Sequence, residues 1–170
     1  MSRLLLLLLL LPAIGCSDEP AAPAQSDQLT PQFTPGSGVT PNILGQATFF
    51  VDKIKRETGN WEFELETKPA MDIAVRMFTY QPGATTGWHS HPGPVFIQVV
   101  LGTVTFYESD DPTCTPRVVQ AGQSYLDLGD HAHIGRNESG QLAQDLVVLI
   151  GPPGTANFRN DAPDPGNCSF

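Results

Sequence analysis

The stretch 83-GATTGWHSHPGPVFIQVVLG-102 decides how the chain is read. It sets His89 and His91 one residue apart, then passes through Pro92, Gly93 and Pro94 into the apolar segment VFIQVVL. The chain has only four histidines, and the other two, His131 and His133, form a second H-x-H at 131-HAH-133. In a strand, residues i and i+2 project from one face. His89 and His91 can therefore aim two imidazoles at one point, and the second pair can present at least one more across a barrel. Imidazole is the commonest metal ligand among side chains. Three or four suit a divalent transition metal, with Zn, Fe, Mn, Ni and Cu left undistinguished, better than Mg or Ca.

The surroundings of these pairs read as strands. The segment 61-WEFELE-66 alternates strictly, Trp61, Phe63 and Leu65 against three glutamates, which predicts a half-buried strand. The segments 46-QATFFVDK-53, 72-DIAVRMFTY-80, 94-PVFIQVVL-101, 103-TVTFYE-108, 116-PRVVQ-120 and 142-LAQDLVVLI-150 are short and rich in β-branched and aromatic residues. Turn signals such as Gln81-Pro82-Gly83, Gly102, Ala121-Gly122 and Gly129-Asp130 separate them. Many short strands at regular spacing, with no long helical period, predict one all-β domain, a sandwich or a barrel.

Two spacings resemble a known family. Gly83, five residues, His89-x-His91 and the later Gly102 look like the first motif of the cupin superfamily. Gly122, then His133, then Asn137 look like the second. The resemblance covers about residues 43–152 and implies a single cupin-type, jelly-roll β-barrel with metal ligands lining one cavity. Carried over by position, His89, His91 and His133 would be the ligands. The acidic ligand of the family motif falls on Val95, or on Phe96 with the longer spacing, and neither can bind a metal. Leu128 and Asp130 stand where the second motif has Pro and Gly. With three neutral imidazoles and no carboxylate, a divalent ion would keep its full charge and act as a stronger Lewis acid. His131, Gln98, Tyr107 and Arg76 are further candidates for the ligand surroundings or for facing a substrate. Strict alternation from Val95 turns Gln98 away from the cavity, and a surface role for His131 is the competing expectation.

The N-terminus is a separate matter. Arg3 precedes eight leucines, Leu4 to Leu11, and then 12-PAIGC-16. A basic residue, a short apolar run and small residues before a cut describe a secretory signal. The run is too short to span a bilayer, which needs about 20 residues. The end resembles a bacterial lipobox, with Cys16 acylated as the first mature residue; the alternative is a plain cleaved signal. Ser17 after the cysteine implies the outer membrane, facing the periplasm. Residues 1–15 thus read as signal peptide and 16–42, poor in large apolar residues, as a flexible tether. Residues 43–152 read as the barrel and 153–170 as an irregular Pro/Gly-rich tail. In an oxidising compartment Cys114 and Cys168 predict a disulfide, with two free thiols as the alternative.

The formal net charge is −9, with no cluster of Lys and Arg to follow a phosphate backbone, which argues against nucleic acid as a partner. The expected partners are a small molecule and, through a lipid anchor, a membrane; a homodimer is left open. Two functions compete. One is a metal-dependent oxygenase-type or lyase-type enzyme, for which no general acid or base is identified. The other is a non-catalytic module that binds a metal or small ligand. Fold alone does not separate them.

Overall fold

The computed structural model describes residues 33–68 and 70–170. The leader, Cys16 and most of the 16–42 segment lie outside the described residues. Every regular element described is a strand: β1 (Ser37–Phe49), β2 (Lys53–Thr58), β3 (Trp61–Glu66), β4 (Met71–Thr85), β5 (His89–Ser90), β6 (Val95–Leu101), β7 (Thr103–Glu108), β8 (Arg117–Gln120), β9 (Ser124–Asp127), β10 (His133–Arg136), β11 (Ala143–Gly151) and β12 (Asn160–Asp161). Ten of them form one antiparallel sheet that curls into a nearly closed barrel.

The long strand β4 organises this sheet, pairing with β1 on one side and β11 on the other. β11 continues to β6 and β6 to β9. The opposite wall runs β8–β7–β10–β5–β12. Alternation sets the inside. In β6, Val95, Ile97 and Val99 are buried while Phe96, Gln98 and Val100 face out. In β11, Ala143, Asp145, Val147 and Leu149 are buried. These residues meet Phe106, Tyr125 and Phe158 in one core.

Two glycines fix turns that the site needs. Gly102, at φ +68°, links β6 to β7, and a Cβ there would lie 2.5 Å from the Leu142 carbonyl oxygen. Gly129, at φ +81°, packs equally close to the Gly93 carbonyl and turns the chain from β9 toward β10. Asn137 is a structural clasp. Its buried amide nitrogen donates to the carbonyls of Tyr80, Gln81 and Gln141, tying the end of β10 to β4.

Two sequence expectations differ from the structure. The first is the half-buried 61-WEFELE-66. It is a strand, but it pairs only with β2 in a hairpin separate from the barrel sheet, with Trp61 58% and Phe63 41% exposed. Alternation reports which residues share a face, and none of the described elements packs on this one. The second is the tether. β1 starts at Ser37, inside the 16–42 span, because main-chain bonds to β4 order a stretch that has few apolar side chains to bury. Among the described residues its outer side is unpaired, which accommodates Pro41.

The tail 153–170 is largely irregular yet firmly docked. Phe158 is fully buried in the core, β12 pairs with β5, and Cys168 is disulfide-bonded to Cys114 with Cα atoms 5.3 Å apart. The bridge closes a sequence separation of 54. Replacing both cysteines by serine should cost up to roughly 4 kcal/mol in the chain-entropy picture, read from denaturant midpoints. Mass spectrometry of the unreduced wild type should find neither thiol alkylatable.

Candidate metal centre

β5 and the residue after it present His89 and His91 to the barrel interior, and His133 opens β10 as the cross-strand partner of His89. All three side chains are buried. Their ring centres stand 4.8 Å (His89–His91), 4.5 Å (His89–His133) and 5.2 Å (His91–His133) apart. One ligand atom from each lies within 4.8 Å of the others. Metal–imidazole bonds of about 2.0–2.1 Å hold donor atoms no more than about 4.2 Å apart, so small ring rotations suffice to close on an ion.

The tautomers are set by the main chain. His89 Nδ1 faces the Gly87 carbonyl oxygen at 2.8 Å, and His91 Nδ1 faces that of Phe158. A carbonyl only accepts, so Nδ1 carries the proton in both rings and Nε2 keeps its lone pair for a metal. Burial lowers the pKa of His89 to about 3, helped by the positive charge of Arg159, and that of His91 to about 4. Burial and the neighbouring imidazoles hold His133 well below the usual histidine range. The three rings are neutral donors at physiological pH.

His133 differs from its partners. Its Nδ1 is buried without a hydrogen bond, and 3.4 Å away lies Asp127 Oδ2, which also has none. The same oxygen is 3.8 Å from His91 Nε2. Asp127 is 1% exposed, and its other oxygen accepts the Gly129 N–H at 2.9 Å. In the β6–β9 ladder Asp127 is the direct partner of Val95. Directly paired residues share one face with Cβ atoms about 4.5–5.5 Å apart. A buried carboxylate thus stands one strand over from position 95, while the ligand group itself holds the three histidines alone, as expected. Asp127 was not singled out in the sequence; the available signal was an aspartate at an inward position, two residues after the core residue Tyr125.

The remaining candidates separate cleanly. Arg76, on the inner face of β4, lines the same cavity as the three histidines. Gln98 faces outward on β6, so it is not a site residue. Tyr107 is buried against Trp88 and Ile134, bonds Glu138 at 3.0 Å, and does not line the cavity. His131 is held by Glu108 at 2.8 Å and Asp130 at 2.7 Å in a separate pocket. Burial alone would lower its pKa, but these carboxylates outweigh it and raise it. Glu108, Asp110 and His131 form a second potential ligand group. Both His131 nitrogens, however, are already engaged by acids.

The family described as "Cupin domain" matches residues 76–149, and the barrel belongs to the cupin superfamily. No curated protein matches the sequence. Among solved structures, the polyketide cyclase RemF from Streptomyces resistomycificus is similar at 15% identity and TM-score 0.47, covering 79% of this chain and 80% of that one. A cupin-like protein from Thermotoga maritima is 21% identical at TM-score 0.44, covering 54% and 65%. An oxalate oxidase solved with the substrate analogue glycolate is 25% identical at TM-score 0.40, covering 48% and 44%.

Metal analysis of purified variants checks the centre. His89→Ala, His91→Ala and His133→Ala should each lose most bound transition metal, and His131→Ala should lose little. Asp127→Asn keeps an oxygen for the Gly129 N–H but removes the charge, and should weaken metal affinity by about 10–100-fold. Val95→Glu placed on top of Asp127→Asn should recover much of that loss, since it returns a carboxylate to the neighbouring strand.

Proposed function

We propose that the barrel binds one divalent transition metal through Nε2 of His89, His91 and His133 and presents it to a small molecule in the adjoining cavity. The observation that carries this is the convergence of three buried, neutral imidazoles, two held in one tautomer by main-chain carbonyls. Nitrogen donors of this kind favour Zn, Fe, Mn, Ni or Cu over Mg or Ca. The metal would supply Lewis acidity or redox chemistry at an open face, as an oxygenase-type or lyase-type reaction requires. The chain would contribute the walls: Phe78, Phe106, Ile97 and Val147 exclude water, and Gly87 and Phe158 fix the ligand rings.

A specific observation supports the second function, a non-catalytic binding module. Besides the three histidines, the titratable groups lining the cavity among the described residues are Arg76, Arg159, Asp161 and Tyr80. Asp161 is paired with Arg159 at 2.6 Å. Tyr80 donates to the buried Asp145 at 2.9 Å, and burial pushes its phenol far above the usual range. None of these is a ready general base. Oxygen-uptake and product assays on metal-loaded protein with small chelating acids and diketones separate the two. Turnover lost in His133→Ala supports an enzyme. Stoichiometric binding without turnover supports the module.

Export is the third part of the proposal. The lipobox-like 12-PAIGC-16 supports acylation at Cys16, and a Cys114–Cys168 disulfide suits an oxidising envelope compartment. Cys16→Ser should shift the protein from the membrane to the soluble fraction. A wild type that already fractionates as soluble would sink the anchor.

A further inference from the structure

The cavity beside the histidines has a volume of ≈ 500 Å³, room for a small organic molecule. Most of its wall is apolar, from Val39, Phe78, Val95, Ile97, Phe106 and Leu149. Into this wall β4 sends Arg76. Its Nε is buried without a hydrogen-bond partner, and no carboxylate among the described residues lies within ion-pair distance of its guanidinium. Its Cζ lies over the ring of Phe158, 5.7 Å from the ring centre. Arg76 is half-buried, and an anion paired with its guanidinium would offset the cost of the shielded, unpartnered Nε.

The rest of the lining points the same way. Among the described residues of the wall, Arg159 is the other cation and Asp161, bound to it, the one carboxylate. Asp127 and Asp145 are not part of the lining. A chain with a formal net charge of −9 therefore keeps a locally cationic chamber, which general electrostatics would not produce by attraction alone.

We infer that Arg76 is the anchor for the carboxylate of a small organic acid whose apolar body fills the cavity. The planar guanidinium offers two parallel N–H donors that match a carboxylate. The apolar wall accommodates a hydrocarbon or aromatic body and offers few donors for the remaining oxygens of a phosphate. This names the ligand class for the proposed metal site. It rests on that reading only for which end of the acid faces the histidines, because Arg76 needs no metal to bind an anion.

Calorimetric titration of the full chain with benzoate, its neutral isostere benzamide and inorganic phosphate tests the inference, in metal-loaded and metal-free protein. Benzoate should bind, benzamide at least about tenfold more weakly, and phosphate weakly. Arg76→Gln should lower benzoate affinity by about 10–100-fold, the weight of charged hydrogen bonds, with bound metal unchanged. Arg76→Lys, which keeps the charge but loses the fork, should fall between and serves if the glutamine variant does not fold. Equal binding of benzoate and benzamide, preference for phosphate, no binding of any probe, or indifference to Arg76→Gln would each overturn it. Benzoate binding that vanishes in His89→Ala but ignores Arg76 assigns the acid to the metal alone, which also overturns it. Arg76-dependent binding in protein that takes up no metal supports the anchor while the metal reading fails.

Discussion

The site depends on main-chain carbonyls holding imidazole Nδ1 protons. Gly87 and Phe158 each accept from one ring, and each bond leaves Nε2 as the only free lone pair. Without them a neutral histidine could present either nitrogen, and three convergent donors would be one arrangement among several. The Phe158 bond brings the C-terminal tail into the centre. That carbonyl is where it is because the Phe158 ring fills the barrel core, β12 pairs with β5, and the disulfide clasps the tail's end to Cys114. A segment that reads as an irregular appendage is one wall of the site.

Charge is distributed with the same economy of position. Position 95 holds a valine, and its ladder partner is the buried carboxylate Asp127. Moving a carboxylate across a ladder keeps it on the same inner face and alters which atoms it meets. Asp127 Oδ2 faces His133 Nδ1 and His91 Nε2 and stays out of the cavity lining. The cavity has mostly apolar walls, the paired Arg159 and Asp161, and Arg76, which has no carboxylate partner among the described residues.

Much of the fold and part of the site were legible in the sequence, because both signals are local. A period of two tells which residues share a face, and it identified the strands and set His89 beside His91. It also turned Gln98 outward, where β6 places it. The resemblance of two glycines, two H-x-H pairs and Asn137 to the cupin motifs implied the barrel and the choice of His133 over His131. Periodicity does not say what covers a face. Trp61 and Phe63 alternate as well as any core strand and remain exposed on the β2–β3 hairpin. Composition likewise missed the start of β1, whose order comes from main-chain bonds to β4.

The sequence by itself determined an all-β domain and histidine pairs able to aim at one point, since residue spacing translates directly into side-chain direction in a strand. Its resemblance to the cupin motifs added the barrel and His133. Only the tertiary structure decided that Asp127 stands opposite Val95, that Phe158 lends its carbonyl to His91, and that Arg76 enters the cavity without a counter-ion among the described residues. Each of those facts pairs residues far apart in the chain. Their meeting is set by ladder register and by what fills the core, and neither quantity is written in any local stretch of residues.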